Sequence, residues 1–589
     1  MIQISRILSI AALVLAGTLA TGCVNQLDDP KQSQDGDKTV TLTTTIGLDA
    51  STKALTAAGV KTFAAGEQIA VIYKQEGGTT AKAVSEALTD ADIREGGRKA
   101  DFTVTLTDPA AGGAVRYIYP AAMAVESITS ADPAIDRYTI ATSKLNSQDG
   151  TMASIAASYD LAVFDGTLTD GAALPASVTL QNRLAILELT VKNASGTSVN
   201  GDVTKLSVYD GTNYYQVSRT PADEPIYVAL WPVGSDQTIA FCATDGTISY
   251  RKSVTGKALD RNNIYPVRLT TAESTSTALE FLTGKTYTVQ DGETLSGTLL
   301  GKTKIQTATT EENGEPITVT LDGVDINVSS SIDAPGINCQ GNTNLVLADG
   351  SVNYVTANKN GNAGIFINED RTLTISGSGT LTATGCGGGE RGGAGIGSNY
   401  AEDCGNIVIS GGTITAQGGD GAAGIGCGSI NKIGRVECGN ITINGGIVTA
   451  TGGKYGAGIG SAHVLRSTNS YSNITNICGN IVITGGTVTA KGGTKAAGIG
   501  CGYNAGELYN DRAECGDITI TSGVTKVIAT KGGGNPPCCI GKGDKKENDV
   551  TQVCGTITIG CTLDGNGNPV GGTTYPGISN NSYVYQPNT

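Results

Sequence analysis

The sequence is poor in the residues that build most catalytic and metal-binding sites. Its 589 residues include one histidine, His463, which removes most histidine-based catalysis and most zinc sites with histidine ligands. Aromatic residues make up only 5% of the chain, so a core built on aromatic side chains is not expected. The formal net charge of −14 argues against nucleic acid or an anionic membrane surface as a partner.

Glycine, by contrast, is abundant, and its 83 copies are periodic rather than scattered. A glycine-rich repeat runs from about Cys404 to Gly560, with copies such as CGNIVISGGTITAQGGDGAAGIGCG and CGNITINGGIVTATGGKYGAGIGSA. Its copies begin at Cys404, Cys438, Cys478, Cys515 and Cys554, at spacings of 34, 40, 37 and 39 residues. Self-similarity at such a period indicates a solenoid rather than one globular core.

Within each copy the apolar residues alternate, as in NIVIS and TITA, which is the period of a β-strand. Each copy therefore predicts three short strands separated by glycine corners, which is one coil of a parallel β-helix. Stacked coils would align Ile407, Ile441 and Ile481 in one inward column at about 4.8 Å per coil. The other predicted inward columns begin at Ile409, Ile414 and Ile396, whereas Val408 and its counterparts should face outward.

The first 22 residues have the pattern of a secretory signal, with Arg6 before an apolar run from Ile7 to Leu19. The run ends in Ala20-Thr21-Gly22-Cys23, which resembles the lipobox of bacterial lipoproteins. That resemblance implies cleavage before Cys23, lipidation of Cys23, and anchoring to the outer membrane, facing the exterior. An ordinary secreted protein with a chance cysteine is the alternative. Residues 23–38 are polar and predict a flexible tether.

Residues 39–271 contain short alternating strands broken by Gly, Pro, Asp and Asn, without a long helical pattern. The stretches FAAGEQIAVIY, LQNRLAILELTV and LDRNNIYPVRL resemble the fimbrillin-like (Mfa-like) family. The resemblance implies two β-sandwich subdomains, here 39–150 and 151–271, and a role as a fimbrial stalk, tip or accessory subunit or as a surface lipoprotein.

A short Ser/Thr linker, AESTSTA at residues 272–278, leads to the solenoid at 279–589. Segments such as ITVTLDGVDINV and LTISGSGTLTATG are weaker copies of the coil, which gives about eight coils from Ile317 to Gly560. This half resembles glycine-rich right-handed β-helix repeats of carbohydrate-binding families. The expected fold class is all-β: two sandwiches followed by a right-handed parallel β-helix. The final NSYVYQPNT alternates and could cap the last coil.

The cysteines leave three alternatives open. The pairs Cys427–Cys438, Cys501–Cys515 and Cys539–Cys554 could each cross-link one loop, since an exported protein permits disulfides. Stacked coils would equally allow a vertical ladder of disulfides. Free thiols packed as small hydrophobic groups are the third alternative. A zinc site is not expected, because no CxxC pair occurs.

Several loop residues follow the AGIG strands and should emerge on one side of the rod. Tyrosine rings beside carboxylates could stack on sugars, although each ring could instead cover its own loop. The ligand-binding candidates are Tyr400, Tyr471, Tyr503, Tyr509 and Asp511. The loop carboxylates could bind calcium, but the sequence contains no calcium-loop motif. No other cofactor is expected.

The sequence thus favours a non-catalytic cell-surface adhesin or carbohydrate-binding protein, whose partner is a glycan or another surface ligand. A structural fimbrial subunit that contacts other subunits is the first alternative. The second is a polysaccharide lyase, because related β-helices include lyases with an arginine base. Arg435, Arg466 and Arg512 are the arginines near the loop face, and they do not repeat in a lyase-like pattern. Fold kinship alone does not establish catalysis.

Overall fold

The computed structural model describes residues 39–48, 62–126, 128, 140–159, 161–169, 174–175, 177–312, 314–389, 391–431, 434–465, 474–506, 511–534, 538–546 and 550–587. The predicted signal peptide, Cys23 and the tether lie outside these residues. Within them, no helix has the length and apolar character needed to cross a membrane.

The N-terminal part is one eight-stranded sheet. Thr39–Leu48 pairs antiparallel with Lys99–Thr107 and parallel with Ser177–Asn182. The other strands are Ala70–Lys74, Thr80–Val84, Ile93–Arg94, Ala114–Tyr119 and Ala162–Thr167. Because strands up to residue 182 complete this sheet, it extends beyond the boundary predicted at residue 150. The sheet reaches residue 182 through the parallel pairing of its first strand with Ser177–Asn182. These segments lie over a hundred residues apart, so no local sequence pattern reveals their pairing.

The second domain, residues 185–274, has two sheets. Five strands form one of them: Lys205–Tyr209, Tyr214–Ser218, Thr238–Thr244, Ser249–Thr255 and Ala272–Ser274. Three form the other: Ala185–Lys192, Ile226–Leu230 and Ile264–Thr270. Ile72, Ile118 and Val163 of the first sheet join the buried core between them, so the two N-terminal domains share apolar packing.

In the described residues, helical structure is confined to short segments between strands, the longest of which is the continuous stretch 152–159. These segments are Asp90–Asp92, Glu95–Gly97, Ala121–Met123, Thr142–Asn146, Met152–Ser154, Ile155–Tyr159 and Leu279–Phe281. The described chain is therefore nearly all β-structure, as the alternating pattern predicts.

The C-terminal part is a stack of coils with parallel pairing between successive coils. The first strands of the coils are Ile317–Asn327, Thr343–Leu347, Thr372–Gly377, Asn406–Ile409, Ile441–Ile443, Ile481–Ile483, Ile518–Thr521 and Ile557–Leu563. The second strands are Val352–Thr356, Thr380–Thr384, Thr413–Gln417, Ile447–Thr451, Thr487–Lys491 and Lys526–Thr530, and Thr294–Thr298 precedes both sets. The third strands are Thr286–Val289, Lys304–Thr307, Ile337–Cys339, Ile365–Ile367, Ile396–Gly397, Ile425–Gly426, Ile459–Gly460, Ile499–Gly500 and Ile540–Gly541. The handedness and the total of about eight coils stay predictions.

The predicted inward columns are confirmed residue by residue. Ile407 pairs with Ile441, which pairs in turn with Ile481, and all are at most 1% exposed. The columns that begin at Ile409, Ile414 and Ile396 follow the same register. Burying each such side chain contributes on the order of 2 kcal/mol, so the aliphatic columns supply the core that aromatic residues do not.

A fourth sheet comes from segments that the repeat pattern assigns to variable loops. Its strands are Gly434–Cys438, Ile474–Cys478, Arg512–Cys515 and Thr551–Cys554, all parallel. The connections are therefore partly ordered as strands that end at the cysteine of the next coil. Alternation in segments such as ITNIC was the available signal.

Antiparallel strands close the C-terminal end of the stack. Ser582–Tyr585 pairs with the last second strand, Lys526–Thr530, and Thr573–Tyr575 pairs with Ile557–Leu563. The predicted role of NSYVYQPNT as a cap is thereby confirmed. Covering these edges removes the unpaired backbone groups that would otherwise recruit another strand.

The junction between sandwich and solenoid is fixed by a buried ion pair. Arg251 donates to both carboxylate oxygens of Glu280 at 2.6 and 3.0 Å, and Glu280 is only 8% exposed. The Thr298 backbone N–H also donates to Glu280 at 3.1 Å. The predicted linker is part of this junction rather than a loose tether, since Ala272–Ser274 pairs with the sandwich and Thr277–Ala278 pairs with the first coil.

The AGIG corners depend on one column of glycines. Gly460 has φ +135°, and a Cβ placed on it would lie 2.0 Å from the carbonyl oxygen of Gly500 in the next coil. Only glycine accommodates both that dihedral angle and that approach.

We expect Gly460→Ala to destabilise the solenoid by about 3 kcal/mol or more, from backbone strain and the clash together. Chemical unfolding of the full chain measures the loss. Gly533→Ala is the control, since its added Cβ meets nothing within 4 Å. Equal stability of the two variants would contradict the close stacking of the glycines.

A second column lies where the first strand of a coil begins. The side-chain oxygen of Asn406 accepts a hydrogen bond from Asn440 N, and that of Asn440 accepts one from Asn480 N, both at 2.8 Å. Asn480 and Asp517 continue the series. Each side chain thus satisfies a backbone donor of the coil above it.

Asn440→Ala should lower the free energy of unfolding by about 1 kcal/mol, the usual contribution of one such hydrogen bond. Asn440→Asp should be close to wild type, because Asp517 plays the same part at its own level with a 2.6 Å bond to Thr556 N. Denaturant titrations of both variants test this, and an alanine variant as stable as wild type would show that the ladder contributes nothing.

Candidate functional site

The second strands of the coils present a flat surface to solvent, which we name the threonine face. It consists of the three outward positions on each of six strands, from Val352–Thr356 to Lys526–Thr530. Eleven of these positions are threonine: Thr356, Thr380, Thr382, Thr384, Thr413, Thr415, Thr449, Thr451, Thr487, Thr489 and Thr530. The rest are Val352, Tyr354, Gln417, Ile447, Lys491, Lys526 and Ile528. None of them is acidic.

The register makes this face a regular lattice. Thr382, Thr415, Thr449 and Thr489 pair in sequence from coil to coil, so their hydroxyls recur at about 4.8 Å along the rod. Neighbouring outward positions on one strand are about 6.8 Å apart. Among the described residues these four hydroxyls have no hydrogen-bond partner, so they remain available to a ligand.

The same face exposes apolar groups that a solvated sheet normally covers. Tyr354 and Val352 are each 49% exposed, and Ile447 is 55% exposed. A surface of threonine methyls, hydroxyls and one aromatic ring can contact both the apolar faces and the hydroxyls of a ligand. Because its only charges are the ammonium groups of Lys491 and Lys526, the face has none of the acidity of the chain as a whole.

The predicted tyrosine row lies elsewhere, and only part of it is described. Backbone bonds link Ala401 to Ser429, Ile430 to His463, Val464 to Tyr503 and Asn504 to Asp544. These bonds place five residues at the equivalent position of successive coils: Tyr400, Ser429, His463, Tyr503 and Asp544. The shared flank expected for the loops is therefore present. Tyr471 and Tyr509 lie outside the described residues.

The environment of these residues differs from that of a sugar-binding platform. Tyr503 is only 7% exposed and stacks on His463, with ring centroids 5.4 Å apart at 15°. Tyr400 is half-buried and lies under the guanidinium of Arg391. Asp511 is fully buried, and its Oδ1 accepts a hydrogen bond from Ile474 N at 3.0 Å. Burial leaves Tyr400 as the only described candidate with substantial solvent access.

The arginines considered for lyase chemistry are paired within their own strands. Arg435 lies 2.6 Å from Glu437, and Arg512 forms an ion pair with Glu514. Arg466 lies outside the described residues. A cavity of about 500 Å³ beside Arg435 is lined by Glu369, Asp370 and Asp403, but no group of described histidine, cysteine and acidic side chains has the arrangement of a metal site. Calcium binding stays a prediction.

The thirteen described cysteines are all free thiols in the structure. Of the three predicted loop pairs, Cys427 and Cys438 lie in contact without a bond between them. Cys539 is directed to the C-terminal cap, where it donates to Ile578 O at 3.2 Å. Cys501 donates to Val553 O at 3.1 Å, next to Cys554 rather than at the predicted Cys515.

The vertical arrangement, by contrast, is present in the register. In the strand register, Cys438 lies opposite Cys478, Cys478 opposite Cys515, and Cys515 opposite Cys554. Cys404 lies opposite Cys438 in an isolated β-bridge. These five cysteines are named here the thiol column. The geometry therefore suits both the ladder and the stacked free thiols that the sequence left open.

His463 is buried at 1% exposure between Tyr455 and Tyr503, and neither ring nitrogen has a hydrogen-bond partner among the described residues. Burial, with the nearby Lys454 ammonium, lowers the pKa of His463 to about 3. The imidazole is thus neutral at physiological pH and acts as an aromatic spacer in the column. A role as a proton donor near neutral pH does not fit this environment.

Comparisons with known proteins agree with the repeat architecture. Residues 373–400, 407–429, 441–463 and 481–503 match the family described as Beta helix repeat. No curated protein matches the chain at a significant level.

Solved structures resemble the chain over part of its length. A fimbrial assembly protein from Parabacteroides distasonis is 12% identical, covers 39% of this chain and 90% of its own, and has a TM-score of 0.24. Proposed cell adhesion proteins from Bacteroides uniformis and Bacteroides ovatus are each 13% identical and cover 40% and 41% of this chain and 97% of their own, with TM-scores of 0.25 and 0.24. Similarity at these TM-scores carries no argument about function.

The buried imidazole makes a prediction about acid stability. The folded pKa lies below the unfolded value of 6.5, so the unfolded chain binds more protons between pH 6.5 and 3. The contribution of His463 is complete above pH 6.5 and falls by up to about 1.4 kcal/mol per pH unit below it. His463→Phe should flatten the decline between pH 6.5 and 5, measured by denaturant unfolding. Ser429→Ala, at the same level of another coil, should leave the slope unchanged, and an unchanged slope in His463→Phe would contradict a buried neutral imidazole.

Proposed function

We propose that this protein is a non-catalytic cell-surface adhesin that binds an uncharged, extended polysaccharide on the threonine face. One observation carries the proposal: a flat lattice of threonines without a carboxylate, on a chain whose net charge is −14. Solvent-exposed sheet faces commonly mix charges of both signs, which favours solubility. The exposed Tyr354, Val352 and Ile447 add apolar contact area that solubility alone does not require.

The lattice suits a polymer better than a small molecule. Its columns span six coils, about 24 Å at the strand spacing. Threonine hydroxyls donate and accept hydrogen bonds, and their methyl groups pack on sugar faces. Many weak, regularly spaced contacts would hold a long chain through multivalency rather than through one deep pocket.

The rest of the chain fits presentation at a surface. Lipidation at Cys23 would anchor the protein in the outer membrane, and the two N-terminal β domains would raise the solenoid away from it. The buried Arg251–Glu280 pair joins the second domain to the first coil, so the rod would be held at a defined angle. The C-terminal cap disfavours end-to-end stacking of solenoids, which makes a purely structural fimbrial role the weaker alternative.

The proposal is tested by binding of the full mature chain to an array of neutral and acidic polysaccharides. We expect retention on neutral polymers, and at least a tenfold loss in the double variant Thr415→Glu/Thr449→Glu, because unpaired carboxylates would be desolvated in the contact. Thr442→Glu is the matched control, since Thr442 lies in the same coil as Thr449 but on the face of the first strands.

Three results would contradict the proposal. Equal binding by the double variant and the control would show that the contact lies elsewhere, with Tyr400 as the next candidate. Failure of the wild-type chain to bind any polysaccharide would overturn the glycan function itself. Release of unsaturated uronate products from an acidic polymer would replace it with lyase activity.

A further inference from the structure

The thiol column and two further cysteines form one continuous row of sulfur atoms that is buried except at Cys554. Cys427 and Cys501 flank the column and donate to the backbone at Ile477 and Val553, each one residue before a column cysteine. Seven thiols in one row exceed what core packing requires, since stacked alanines, as at Ala416 and Ala450, fill comparable inward positions.

The sulfur atoms contact one another along the row. Cys438 contacts Cys404 and Cys427, and Cys478 contacts Cys427 and Cys515. Cys515 in turn contacts Cys554. In-register strands about 4.8 Å apart also satisfy the Cα separation of roughly 4.4–6.8 Å that a disulfide requires. The Cα spacing between neighbouring thiols of the column therefore lies within the range of a disulfide.

Solvent access distinguishes one end of the row. The four other column cysteines are at most 4% exposed, whereas Cys554 is partly exposed in the last coil. A hydrogen bond from Cys515 and the nearby Lys542 ammonium lower the pKa of Cys554, while burial raises the pKa of Cys404, Cys427 and Cys501. Thiol–disulfide exchange proceeds through an accessible thiolate, and Cys554 is where these two conditions meet.

We propose that Cys554 and Cys515 form a thiol–disulfide exchange site through which the solenoid is cross-linked coil to coil. The Cys554 thiolate attacks a small organic disulfide, forms a mixed disulfide and releases one thiolate. Cys515, after losing its proton to water, then attacks the Cys554 sulfur, forms the Cys515–Cys554 bond and releases the second thiolate. The small disulfide is reduced to two thiols, and the two cysteines are oxidised to one disulfide.

The contacts deeper in the row allow the bond to migrate. Attack of Cys478 on the Cys515 sulfur would form Cys478–Cys515 and return Cys554 to the thiol state, ready for another exchange. Each bond would tie coils whose cysteines lie 34 to 40 residues apart in the sequence. Closing a loop of that size restricts the unfolded chain and should stabilise the solenoid. This inference is independent of the proposed glycan binding.

The test uses the fully reduced full-length chain, incubated under native conditions with hydroxyethyl disulfide. Acid quenching, alkylation in denaturant and peptide mass mapping then count the free thiols. In the wild type we expect the Cys515–Cys554 disulfide to form first. Cys554→Ser should slow oxidation of the column at least tenfold, and Cys515→Ser should accumulate the mixed disulfide on Cys554.

Cys386→Ser is the matched control, because Cys386 is also partly exposed but lies outside the row. In the Cys386→Ser variant, the thiol column should oxidise at the wild-type rate. Thermal unfolding of each reduced variant checks that the fold is retained, and the trapped adduct in Cys515→Ser is a readout that does not depend on a finished disulfide. A wild-type column that stays reduced while Cys386 is modified, or a Cys554→Ser column that oxidises at the wild-type rate, would overturn the proposal.

Discussion

The C-terminal half depends on one constraint: successive coils must stack in register at the spacing of a single β-strand. Hydrogen bonding between parallel strands fixes that spacing, so every side chain lies above its counterpart from the neighbouring coil. Inward positions then form aliphatic columns, corner positions form glycine columns, and the residues at the start of the first strands form an asparagine ladder. A side chain that does not fit its column disturbs two neighbours at once, which explains why Gly460 tolerates no Cβ.

The same constraint produces the two surfaces of functional interest. Outward positions of the second strands stack in the same register as the inward ones. The T-x-T alternation of these strands therefore forms a lattice of threonines. The cysteines that precede successive coils stack in the same way and form the thiol column. A single residue of either type would mean little, but repetition at strand spacing gives the threonine face its extent and the thiols their mutual contact. Both features therefore follow from the register rather than from any one loop.

The loops behaved differently from the strands. The sequence placed Tyr400 and Tyr503 on one flank, and the structure agrees on the flank. The expected solvent exposure is absent for two of the candidates. Tyr503 packs against His463 and Tyr455, and the buried Asp511 accepts a backbone hydrogen bond. Of the predicted cysteine pairs, Cys427 and Cys438 lie in contact, whereas Cys501 and Cys539 donate hydrogen bonds to other partners. The repeat pattern thus predicts which loop residues share a flank, but it does not predict which of them are buried or which ones contact each other.

The sequence by itself determined the coil, the inward columns, the corner glycines and the capping strand, because each depends on alternation and repetition within short segments. Only the tertiary structure decided the extent of the first sheet, which needs the distant pairing of Thr45 with Ser177. Tertiary structure also decided which outward side chains remain accessible and which thiols touch. The physical reason is the range of the interactions: strand period is written locally, whereas burial and contact depend on whatever another part of the chain brings to the same place.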